Sequence, residues 1–120
     1  MAKILAVDDS ASMRQMVAFT LKSKGHEVIQ AVDGQEGLAL AQRGGVDLVL
    51  TDLNMPKMDG LSMIKALRKL ANYRFTPILM LTTEANAERK REGKDAGATG
   101  WIVKPFNPEQ LLKTIDKVLR

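Results

Sequence analysis

The sequence predicts an α/β protein, a three-layer sandwich with a five-stranded parallel sheet between helices. Three observations predict it. Short apolar runs occur at Ile4–Val7, Val28–Ala31, Leu48–Leu50, Ile78–Leu81 and Trp101–Val103, each bounded by Gly, Pro or polar residues and each too short for a helix. Amphipathic segments alternate with them. The runs are also near-continuously apolar, which suits strands covered on both faces. Five such βα units in 120 residues give one domain with right-handed crossovers.

The helical segments follow in order. Met13, Met16, Val17, Thr20 and Leu21 repeat at i, i+3, i+4, i+7 and i+8, one helical face, and Gly25 reads as the stop. Asp33 with Glu36 marks a capped start to the second helix. Leu61, Ile64, Leu67 and Ala71 mark the third. The fourth, Asn86 to Asp95, has almost no apolar stripe and carries Gly93, which costs about 1 kcal/mol relative to Ala. It reads either as a solvated face or as a helix free to move. Asn107-Pro108-Glu109-Gln110 combines an N-cap, a first-turn proline and a capping-box glutamine. Leu111, Leu112, Ile115, Val118 and Leu119 then supply a buried face.

Composition excludes several classes. Hydrophobic residues make up 45% and charged residues 27%, the balance of a globular chain. Cysteine is absent, so disulfides and thiolate metal sites are excluded, which fits a reducing cytoplasm. No apolar run approaches a signal-peptide core or a membrane span, so no membrane insertion and a cytoplasmic location are expected. The net charge of +4 raises nucleic acid as a partner. One Trp, one Tyr and three Phe make a poor stacking platform, however, and the basic cluster "ERKREGKD" is interleaved with acids.

In open α/β sheets, ligands bind outside the carboxyl ends of the strands. Here strand one ends in Asp8-Asp9, strand three in Asp52, strand four in Thr82 and strand five in Lys104. Crowded carboxylates repel unless a cation intervenes. Oxygen donors suit Mg2+, which takes one or two carboxylates plus waters and phosphate oxygens. Zinc is disfavoured: the one histidine, His26, precedes strand two at the far end and reads as a surface or packing residue. Lys104 and Thr82 are placed on the side away from the acid pair. A metal, an ammonium and a hydroxyl together are what a phosphoryl group needs as its charge spreads. Asp52 can then act as the nucleophile and form an acyl phosphate. No glycine-rich phosphate loop occurs, which weakens a dinucleotide reading.

The motifs "VDD", "TDLNMPKMDG", "LTTEA" and "VKPF", in order at strand ends, make the chain resemble the receiver domain of two-component response regulators, of the single-domain chemotaxis type. The resemblance covers residues 1–120 and implies a flavodoxin-like strand order 2-1-3-4-5 with no output domain. It makes Asp52 the phosphoacceptor, with Thr82 and Lys104 on the phosphoryl oxygens. Magnesium would be held by Asp9, Asp52 and the Asn54 carbonyl, with Asp8 acting through water. The Lys104–Pro105 bond would be cis. Asn54 and Glu84 occupy positions that tune phosphoryl lifetime.

Trp101 falls at the switch position beside Thr82, where the family more usually has Tyr or Phe. On its residue type alone it is also a half-buried edge-strand indole.

By the same resemblance, a histidine kinase is the phosphodonor. The signal is altered binding of a target protein, with a flagellar motor switch one candidate. Arg89, Lys90, Arg91, Lys94, Lys113 and Lys117 suit an acidic amphipathic peptide. The chain would be a monomer and not an enzyme beyond its own phosphorylation and dephosphorylation. A phosphorelay intermediate stays open. An aspartyl-phosphate hydrolase would need a second acid two residues after the nucleophile, where Asn54 stands.

Overall fold

The three central apolar runs, at Ile4, Leu48 and Ile78, become strands buried on both faces, while the two edge runs, at Val28 and Trp101, stay partly exposed. The computed structural model describes residues 2–84 and 86–119. Its strands are β1 (Lys3–Val7), β2 (Glu27–Ala31), β3 (Leu48–Thr51), β4 (Ile78–Thr82) and β5 (Gly100–Val103). All pair in parallel in the order β2-β1-β3-β4-β5, as the resemblance implies. The helices are α1 (Ala11–Lys22), α2 (Gly34–Ala41), α3 (Gly60–Arg68), α4 (Ala87–Ala96) and α5 (Pro108–Leu119).

Alternate strand residues feed two cores. Leu5, Val7, Val49, Ile78 and Met80 pack with Ala41, Met63, Ile64, Leu67 and Ala96 from the α2–α4 layer. Ile4, Ala6, Leu48, Leu50, Leu79 and Leu81 pack with Val17, Leu21, Leu111 and Ile115 of α1 and α5. Each fully buried aliphatic contributes about 1.5–3 kcal/mol. Among the described residues, no helix is long and apolar enough to cross a membrane.

Side-chain caps set the helix starts. Ser10, Asp33, Asp59 and Asn86 each accept a hydrogen bond from the backbone N–H three residues on. Asn107 accepts from the N–H groups of Glu109 and Gln110. Each cap is worth about 1 kcal/mol.

Two stripe residues depart from the periodicity. Met16 is exposed, because the buried face of α1 runs through Val17, Ala18, Thr20 and Leu21. Ala71 lies outside α3 in a 3-10 turn, exposed, because α3 stops at Arg68. There the Arg68 guanidinium donates to the carbonyls of Tyr73, Arg74 and Thr76 and draws the chain round.

The glycine of α4 has a packing reason that its helix propensity hides. A Cβ on Gly93 would strike the thioether of Met80, so glycine lets this sparsely apolar helix approach the sheet. Apart from Gly93, only Ala96 is buried along α4.

Candidate functional site

The strand order reverses beside β1, so the crevice opens between the carboxyl ends of β1 and β3. Those ends deliver Asp8, Asp9 and Asp52. One carboxylate oxygen from each lies within 4.8 Å of the others.

Asp8 is only 5% exposed and fully engaged. Its Oδ1 accepts from the Ser10 N–H at 2.9 Å and its Oδ2 from Lys104 Nζ at 2.6 Å. Lys104 Nζ also lies 3.3 Å from Asp52 Oδ2. The lysine is therefore not on the side away from the acid pair, as its position on strand five suggests. A buried carboxylate needs a counter-charge, and Lys104 supplies it. Burial opposes the lysine's charge, but the Asp8 hydrogen bond and the two carboxylates outweigh it and hold Lys104 above its ordinary pKa. Arg14 Nη1 donates to the Asp8 carbonyl at 2.6 Å, fixing the start of α1 against the site.

Asp52 Oδ1 accepts from the Leu53 N–H at 2.7 Å. Burial raises its pKa above the ordinary carboxylate value, a shift only partly offset by that hydrogen bond and by Lys104. Three carboxylates against one ammonium leave a cluster still short of positive charge. The donors are all oxygen, and His26 lies at the amino end of β2, where its Nδ1 accepts from the Ala2 N–H at 3.1 Å. The set fits a hard divalent cation and not zinc.

The segment after Asp52 is held by Gly60. A Cβ there would overlap the Asp52 carbonyl oxygen, so the residue that opens α3 must be glycine for the end of β3 to keep its place. The Gly60 N–H also donates to the Leu53 carbonyl at 2.8 Å. The Lys104–Pro105 bond is cis.

Thr82 is buried at the end of β4, and its hydroxyl oxygen accepts from the Glu84 N–H at 3.0 Å. Asn54 and Glu84, thirty positions apart, meet at the rim: the Asn54 amide donates to Glu84 Oε1. Trp101 is 38% exposed, with Lys90 Nζ over its ring at 4.9 Å from the centroid. That partly exposed position on edge strand β5 is the starting point for both readings of Trp101, since the switch reading has the ring turn inward only after phosphorylation.

The strand ends placed Asp8, Asp9, Asp52, Thr82 and Lys104 at this rim, and the resemblance added Asn54 and Glu84. The structure clusters Asp8, Asp9, Asp52 and Lys104, and links Asn54 and Thr82 each to Glu84. The sequence reading missed the arginines. Arg89, grouped with the basic outward face, turns back toward the rim, where its Nε donates to Glu84 Oε2 at 2.7 Å and its Nη2 to Asn54 Oδ1 at 3.3 Å. The only trace of this was its place in the first turn of α4, three residues after the Asn86 cap.

A family model for the response regulator receiver domain matches residues 4–116. The chain belongs to that family. Its structure is similar to that of the chemotaxis protein CheY4 of Vibrio cholerae, with a TM-score of 0.95, 59% identity and 98% of each chain covered. It is 40% identical to the chemotaxis protein CheY-3 of Vibrio cholerae over 97% of this chain and 90% of that protein. A receiver domain of a Pseudomonas aeruginosa sensor histidine kinase matches at a TM-score of 0.92 and 28% identity, covering 98% of this chain and 97% of that one. It was solved with magnesium coordinated in its active site cleft. The chain spans about half the length of other curated relatives. One is the ycf27 regulator of Porphyridium aerugineum, 42% identical over 98% of this chain and 48% of the relative. Another is RpaA of Synechocystis, 38% identical over 100% of this chain and 50% of the relative.

Proposed function

We propose that the chain is a magnesium-dependent phosphoacceptor whose acceptor is Asp52, and that it reports a chemotaxis signal by changing which protein it binds. The observation that carries the reading is the convergence of Asp8, Asp9, Asp52 and Lys104 on the switch point of the sheet. Similarity to CheY-3 and CheY4 supports the chemotaxis assignment.

An Asp52 oxygen attacks the phosphorus of the donor. The bond from phosphorus to the donor breaks, and its electron pair stays with the leaving group. For the phosphohistidine of a histidine kinase, the leaving imidazole nitrogen takes a proton. Lys104, 3.3 Å from Asp52, and the Thr82 hydroxyl offer hydrogen bonds to the phosphoryl oxygens, and the lysine is a donor already in place for the charge that builds in the transition state. For the Thr82 hydroxyl this means turning toward the new group. Asp9, Asp52 and the Asn54 carbonyl are the groups that would hold the ion, and it would supply charge neutralisation at the reacting oxygens. Both Asp8 oxygens already have protein partners, which suits a contact through water.

The chain then acts on its own acyl phosphate, and Asn54, which stands where an aspartyl-phosphate hydrolase would need its second acid, cannot serve as a general acid. The basic residues Lys90, Arg91, Lys94, Lys113 and Lys117 suit an acidic amphipathic target. Incubation with acetyl phosphate and magnesium tests the reading. One phosphoryl group should be added and released by hydroxylamine, and Asp52→Asn should take none. A hydroxylamine-stable label would place the chemistry elsewhere.

A further inference from the structure

The loops that follow β3 and β4 leave the sheet beside each other, and one polar network closes the gap between them. Asn54 comes from the first loop and Glu84 from the second, and their side chains bond directly. The Arg89 guanidinium, from α4, engages both at once and also reaches Glu92 Oε1 at 3.3 Å. A planar fork with several donors can hold two acceptors in fixed relative positions, which a lysine cannot do. Because α4 offers the core so little apolar surface, this network and the Arg68 bond to the Gly97 carbonyl at 2.9 Å are prominent among the ties that place it.

We propose that Arg89 is a positioning residue that holds the Asn54–Glu84 bridge closed across the mouth of the phosphoacceptor site, and so limits how fast small molecules reach Asp52. The inference rests on Asp52 being the acceptor. Asn54 lies two residues after Asp52, and Glu84 two after Thr82, whose hydroxyl accepts from the Glu84 N–H. With Lys104 and Thr82 largely buried, the bridge and exposed Asp9 stand beside the acceptor on its solvent side. Hydrolysis needs a water on that side. Its oxygen bonds to phosphorus as the bond from phosphorus to the Asp52 oxygen breaks. Asp52 keeps the electron pair as a carboxylate, inorganic phosphate departs, and the proton passes to solvent or phosphate. A small donor such as acetyl phosphate enters by the same mouth. Arg89 therefore acts on both rates in the same direction, through the two rim residues and not through the reacting atoms. A merely structural residue would slow labelling when lost.

The experiment labels the parent chain, Arg89→Gln, Glu84→Ala and the double variant with acetyl phosphate and magnesium, and follows gain and loss of the phosphoryl group. Arg89→Gln should accelerate both by about fivefold, and the effect should vanish in the Glu84→Ala background. Parent rates in Arg89→Gln, or an undiminished effect without Glu84, would overturn the inference while leaving Asp52 as acceptor. A parent chain that takes no label would overturn the acceptor assignment itself, and this inference with it.

Discussion

Asp52 and Lys104 lie 3.3 Å apart, yet losing one should have the opposite effect on the metal-free fold from losing the other. Asp52 is a carboxylate that burial disfavours in a cluster already rich in negative charge. Asp52→Asn removes that charge and keeps the shape. It should raise the metal-free melting temperature by about 4 °C, roughly 1 kcal/mol. Lys104→Met strips buried Asp8 of its counter-charge and should cost about 3 kcal/mol. Calorimetry of both variants without metal checks the pair, and a shift of the same sign in both would contradict this electrostatic account. Magnesium should stabilise the parent chain by about 2.7 kcal/mol at a hundredfold excess over its dissociation constant. In Asp52→Asn that gain should shrink, and a parent melting curve unchanged by millimolar magnesium would rule out the cation site.

At the scale of elements, two glycines in helices look alike in the sequence and differ in what they touch. Gly60 abuts the backbone carbonyl of Asp52, which cannot yield without moving the end of β3. Gly93 abuts the tip of Met80, a flexible thioether. Gly60→Ala should therefore cost about 2 kcal/mol or more. For Gly93→Ala, the gain in helix propensity offsets the repacking of Met80, and the change should stay within about 1 kcal/mol. Urea midpoints of the two variants decide this; equal losses would contradict it.

The strands were legible because apolar runs of four or five residues between turn signals admit few other readings, and all five appear within a residue of expectation. The caps at Asp33 and Asn107 were legible for the same local reason. What was not legible depends on tertiary approach. The exposure of Met16 comes from a one-residue rotation of the buried face of α1, and the end of α3 from carbonyls gathered by Arg68. Long flexible side chains such as Arg89 and Lys104 carry no signal in the sequence of which acid they will choose.

Across the whole molecule, the site and the outward face are joined twice. Thr82 at the end of β4 neighbours β5, which carries Trp101, and Arg89 joins the rim to α4. Once the phosphoryl group draws the Thr82 hydroxyl inward, space should open behind it for Trp101, at the cost of its stacking under Lys90. Beryllofluoride with magnesium, a stable mimic of the phosphoryl group, should shift Trp101 emission, and Thr82→Ala should suppress the shift. Constant emission while the mimic is shown to bind would make Trp101 a packing residue.

The central claim, that the carboxyl end of β3 exists to be phosphorylated, is tested most directly by locating the acyl phosphate. The chain is labelled with acetyl phosphate in magnesium, reduced with borohydride to convert the acyl phosphate to homoserine, and its peptides are sequenced by mass spectrometry. The account predicts homoserine at position 52, absent when magnesium is chelated. Reduction product at any other aspartate, or none at all in a folded, magnesium-loaded chain, would contradict it.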